Sequence, residues 1–162
     1  MTPPREAAAG IRIERVAVGP ERVEAQVRLG QGMPLRTSAA PGLADAVLSA
    51  LPGIVRHRCW CGSARGVVAE LADTELPHLL EHAALEIMVV AGSPRSLEGR
   101  TSWDFAADGV GVFRVELEYD DDLVALAALA EAATAIDDLV AGTVDGIDID
   151  SVSERVRAHR RR

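Results

Sequence analysis

The chain contains no lysine and no asparagine in its 162 residues, and only 3% of it is aromatic. Without lysine there is no glycine-rich phosphate loop of the G-x-x-x-x-G-K-[ST] kind. Arginine is left to supply the positive side-chain charge. With 48% hydrophobic residues and almost no rings, the core is expected to be built from Val, Leu, Ile and Ala. Cysteine is scarce too. Cys59 and Cys61 form a C-x-C, neither the C-x-x-C of redox sites nor the four thiols of a structural zinc site. They are expected to be reduced thiols. No uninterrupted apolar run is long enough for a bilayer, since the longest is broken by Glu131, Asp137 and Asp138. The opening MTPPREAAAG lacks the basic start and apolar stretch of a signal peptide. The expectation is a cytoplasmic protein with no membrane partner.

Charge points the same way. The formal net charge is −8, and five arginines lie in the last eight residues, RVRAHRRR, so the remainder stands at −13 (−8 minus 5). An acidic body does not suit nucleic acid. It suits a cation-bearing partner, and Asp120, Asp121 and Asp122 are the densest acidic run that such a partner would meet.

The length fits one domain with a sizeable core. IRIERVAV and RVEAQVRL largely alternate apolar and polar residues around Gly19-Pro20, which predicts a hairpin. A helix is expected over GLADAVLSAL, stopped by Pro52-Gly53, then irregular chain over residues 55–66 and a short helix over GVVAELAD. The next helix carries HLLEH, with Asp73 or Thr74 as its cap. Residues 91–111 read as a long loop, and long loops in small domains are often functional. VFRVELEY alternates cleanly, with Phe113, Val115, Leu117 and Tyr119 on one face. A long helix follows over about residues 121–140. The prediction is an α+β fold: a small, mostly antiparallel sheet with helices on one face. Residues 1–145 would form the domain. Residues 146–162 would be a linker and a basic C-terminal tail, either a polar helix or a frayed end.

The HLLEH helix carries the chemistry. At about 100° per residue, His78, Glu81, His82 and Glu86 fall on one face within roughly 140°. Leu79, Leu80, Ala83, Ala84, Ile87 and Met88 cover the other. Two histidines one turn apart can reach a single ion, and the glutamate between them can act as general base. This is the H-x-x-E-H arrangement of inverted zinc hydrolases. Two core histidines bonded to carboxylates would give the same pattern without a metal. A zinc site needs a third ligand. Glu86 is the near candidate, although a full turn beyond His82 it could instead orient that imidazole. Glu131, His57 and Cys59 are alternatives. Arg100, in EGRTSWDF, is a candidate for binding a substrate carboxylate.

Four ordered blocks, LPGIVRHRC, ELPHLLEHAALEI, EGRTSWDF and GVFRVELEYDDDLVALAALAEAA, resemble the N-terminal domain of cyanophycin synthetase over about residues 45–140. In that family the domain precedes an ATP-grasp and a Mur-ligase-like domain that build an aspartate–arginine polymer. Neither is present here, so the resemblance implies a stand-alone relative and not a synthetase. It also implies an α+β sandwich with the metal helix lying on the sheet. The family's domain holds polymer and, in some members, cuts it with a metallopeptidase-like site. That site corresponds to His78, Glu81 and His82, with Glu86 as a further match. The family tends to have a second arginine soon after Arg100, where this chain has Ser102-Trp103. The expected activity is zinc-dependent hydrolysis of a peptide or isopeptide bond, with an arginine-containing polymer as the expected partner. The competing expectation is a non-catalytic module that binds polymer or protein. Self-association into a homo-oligomer is left open.

Overall fold

The computed structural model describes residues 9–59 and 66–162. Its centre is a four-stranded antiparallel sheet in the order β1-β2-β4-β3, made of β1 (Ile11–Val18), β2 (Arg22–Leu29), β3 (Gly99–Ser102) and β4 (Val112–Glu118). The β1–β2 hairpin closes at Gly19, whose N–H donates to Arg22 O at 2.9 Å. Register sets Val23, Ala25 and Val27 of β2 opposite Leu117, Val115 and Phe113 of β4. All six are buried and form the sheet's inner face. Alternate residues such as Arg22, Glu24 and Glu116 are left on the outer, wetter face, as a pleated strand requires. β1 is different. It is an edge strand with a register shift between Ile13 and Arg15, and among its eight residues only Ile11 is buried. Its alternation is that of a strand, but it contributes little to the core.

Helices cover the inner face. They are α1 (Leu43–Ala50), α2 (Val67–Ala72), α3 (Leu76–Val90), the short α4 (Phe105–Asp108), α5 (Asp122–Ala141) and α6 (Ile149–Arg157). α3 packs on α5 and reaches β3 and β4. Fully buried alanines on both helices, Ala84 in α3 and Ala125, Ala128 and Ala132 in α5, suit close approach of the two backbones. Pro77 sits in the first turn of α3, where its missing N–H leaves no intrahelical bond unmade. The α+β class and the antiparallel sheet with its helical layer are as expected.

Three expectations need correction. The span 91–111 is not one loop: it holds β3 and α4. At four residues, flanked by turns, β3 is too short to show a period. The α3 N-cap is Glu75 and makes no side-chain capping bond, so neither Asp73 nor Thr74 has that role. Finally, the basic end is part of the fold. Val152 and Val156 of α6 are buried in the core, and Arg155 pairs with Glu131 of α5 at 2.6 Å. Beyond the helix, Arg160 pairs with Asp120 at 2.6 Å and Arg161 with Asp122 at 2.5 Å. Arg161 also donates its backbone N–H to Asp121, whose carboxylate caps α5 through Leu123 and Val124. The chain's own arginines thus occupy the acidic run that the sequence offers to a cationic partner.

Among the described residues no helix is long and apolar enough to cross a membrane.

Candidate functional site

α3 is apolar on nearly every side, yet Glu81, His82 and Glu86 are all buried in it. Such groups are costly to bury unless each finds a partner, and each does. His78 Nε2 lies 3.1 Å from His82 Nε2, so the two imidazoles one turn apart converge. His78 Nδ1 meets Thr74 Oγ1 at 2.9 Å, and His82 Nδ1 meets His57 Nδ1 at 2.9 Å. The far nitrogen of His57, Nε2, lies 2.7 Å from Glu86 Oε2. Arg95 then donates from both terminal nitrogens to the two oxygens of Glu86, each at 2.9 Å.

One set of tautomers satisfies the outer contacts of this chain and leaves the inner His78–His82 contact unbonded. Glu86 is ionised and accepts from His57 Nε2–H. His57 Nδ1 accepts from His82 Nδ1–H, and His78 Nδ1–H donates to Thr74. Both Nε2 atoms are then bare and face one another. Two bare lone pairs at that separation repel unless a cation lies between them.

Electrostatics agree with neutral imidazoles. Burial, then the neighbouring His78 and His57, push His82 down to about 3. Burial likewise lowers His78. For Glu86, burial works upward, but the hydrogen bonds and charges of His57 and Arg95 outweigh it, and the carboxyl ends below its usual value. Glu81 goes the other way. Burial raises it to about 7, with Glu116 adding to the rise and a 2.6 Å hydrogen bond from Thr101 Oγ1 opposing it.

Cys59 is the third donor at the convergence, its Sγ 3.3 Å from His78 Nε2. Sγ and the ring nitrogens of His78 and His82 all lie within 4.8 Å of one another. Two imidazoles and one sulfur suit zinc, which in tetrahedral sites takes nitrogen at about 2.0–2.1 Å and sulfur at about 2.3 Å. The expectation of a reduced thiol is not met, because Cys59 is disulfide-bonded here; Cys61 lies outside the described residues. A thiolate at this position therefore requires reduction.

The structure sorts the other candidates. Glu86, the provisional third ligand, is not placed with the two Nε2 atoms. Its oxygens are engaged by His57 and Arg95, so it orients His57, which in turn orients His82. Glu131 is held by Arg155 of α6. His57 joins the cluster behind His82 rather than in front of it. Arg100 is exposed and makes no ion pair among the described residues. It lines a cavity of about 700 Å³ together with Cys59, His78, Glu81, Trp103 and Glu116.

Sequence reasoning passed over Arg95 and Thr101 altogether and took Thr74 only as a possible helix cap. Each is a common surface residue type with no motif spacing. The one available signal was that a buried carboxylate at Glu86 demands a cation. Two glycines complete the site. A Cβ at Gly99 would stand 2.8 Å from Glu81 Cγ, and one at Gly53 would stand 1.8 Å from Glu86 Oε1. Both carboxylates are seated beneath a bare Cα.

A family described as the cyanophycin synthase-like N-terminal domain matches residues 24–141, which include most of β2, all of β4, the HLLEH helix and α5. The chain belongs to that family. It is also 30% identical over 87 residues to a cyanophycin synthetase of Synechocystis sp., a match covering 53% of this chain and 10% of the relative. This domain therefore spans a small fraction of the length of that synthetase.

Proposed function

We propose that this cyanophycin synthase-like N-terminal domain is a zinc-dependent hydrolase of a peptide or isopeptide bond. An aspartate–arginine polymer is the candidate substrate. The observation that carries the reading is the convergence of His78 Nε2 and His82 Nε2 beside Cys59 Sγ. His78, His82 and reduced Cys59 would hold the ion, which in such sites supplies Lewis acidity toward a carbonyl and toward water.

The protein's own groups do the rest. Thr74 and His57 orient the two imidazoles, Glu86 and Arg95 anchor His57, and Thr101 fixes the Glu81 carboxyl at the cavity wall. Glu81 is the general base. It takes a proton from the attacking water and returns it to the leaving amine. Arg100, which makes no ion pair among the described residues, is placed to meet a substrate carboxylate.

A binding module without chemistry is the second reading. The Cys59 disulfide favours it, because it removes the thiolate. The name of the synthetase relative describes synthesis, not cleavage. Elemental analysis of protein purified under reducing conditions without chelator separates the two. One equivalent of zinc, lost in His78→Ala and in His82→Ala, supports the hydrolase. Protein that stays metal-free after dialysis against zinc rejects it. Glu81→Gln should keep the zinc while hydrolysis falls about 10²- to 10⁴-fold.

A further inference from the structure

β3 is an edge strand, and the phase of its pairing can be fixed. Glu118 N–H donates to Glu98 O at 2.9 Å, while the next residue, Tyr119, donates its N–H to Glu21 O at 3.1 Å on the other side. Antiparallel pairs alternate between bonded and non-bonded positions. Residues 114, 116 and 118 of β4 therefore bond toward β3, and residues 113, 115 and 117 bond toward β2. On β3, Arg100 and Ser102 bond inward to Glu116 and Arg114. The N–H and C=O of Gly99 and Thr101 point out of the sheet, and no hydrogen bond to them is made among the described residues.

This free edge runs along the candidate site. Every residue from Glu98 to Trp103 lines the 700 Å³ cavity. Thr101 holds Glu81, and Gly99 leaves room for it, so whatever lies on this edge passes beside Glu81. Six glutamates line the same cavity against three arginines.

We infer that the outward edge of β3, at Gly99 and Thr101, is a docking strand. It binds an extended peptide bearing cationic side chains, which adds to the sheet as a fifth, main-chain-bonded strand. Gly99 and Thr101 offer two donors and two acceptors at the spacing of alternate residues in an extended chain. Cations on alternate positions of that chain face the glutamates. The inference deepens the hydrolase reading by assigning its substrate a main-chain geometry, but binding does not depend on the metal.

The test uses chelator-treated protein and a fluorescent hexapeptide of alternating arginine and alanine. Two further versions are N-methylated on either the arginine or the alanine amides. One methylated version should bind about tenfold or more weakly, and the other within about threefold of the parent. Amide exchange should slow at Gly99 and Thr101 when peptide binds. It should not change at Arg100 and Ser102, which are already bonded. Equal effects from both methylated versions, or binding without protection of Gly99 and Thr101, would overturn the inference. So would protection that grows with protein concentration in the absence of peptide, which would put a second copy on the edge. Because metal is absent throughout, failure of the zinc test leaves these outcomes readable.

Discussion

His57 stands between His82 and Glu86 and touches no candidate metal donor except through His82. Groups one step behind a ligand fix its tautomer and orientation, and their loss typically weakens metal affinity about 10- to 100-fold. His57→Ala should therefore lower zinc affinity by that factor in competition with a colorimetric chelator, while His78→Ala abolishes binding. Arg95 carries a different load. Glu86 is 2% exposed, and two of its bonds come from this guanidinium. Arg95→Met should lower stability by about 2 kcal/mol in urea unfolding, because a buried charge is left half-partnered. The same change should leave a circular dichroism spectrum of native shape.

Among the elements, α6 is the one whose role differs most from its sequence. Its buried Val152 and Val156 are four residues apart, too few in nine residues to mark a core face among polar neighbours. The HLLEH helix was legible because four polar residues on one face of an apolar helix conflict with burial, and the conflict itself points to a site. β4 was legible from its alternation. β3 was not, since two of its four residues are the small Gly99 and Ser102 and its neighbour β4 supplies the pairing. The site was half legible for a related reason: motif spacing locates groups on one helix, whereas Arg95, Thr101 and Cys59 arrive from other segments.

Two predictions belong to this scale. Asp121 accepts from the N–H groups of Leu123 and Val124, so Asp121→Ala should cost about 1 kcal/mol through the α5 cap. Asp120 is held below its ordinary 3.8. Burial works upward there, but Ser93 and Arg160 outweigh it. The folded pKa is the lower one, so this stabilisation is present above pH 3.8 and disappears as pH falls through the folded value. Acid unfolding should then begin at higher pH in Asp120→Asn than in the parent chain if other groups dominate equally in both, and Arg160→Ala should reproduce part of the shift.

For the whole molecule, net charge alone points to a different surface from the one proposed to bind a cationic peptide. Asp120 and Asp122 are paired with Arg160 and Arg161, whereas six glutamates and three arginines line the cavity beside His78. Binding of an arginine-rich oligopeptide should weaken between low and physiological salt, where screening shortens to about 8 Å. It should stay within about twofold when Asp122 becomes asparagine, since a surface pair is worth little, and titrations at two salt concentrations distinguish these cases. The two glycines over the carboxylates carry a different implication for how the chain tolerates change. Gly53 and Gly99 contribute no side chain to the site, yet an added methyl at either would collide with the group that positions His57 or with Glu81 itself. In a saturation library scored for zinc retention and cleavage, these two positions should be as intolerant as the histidines, so that the map of essential residues extends to places where the required side chain is none at all.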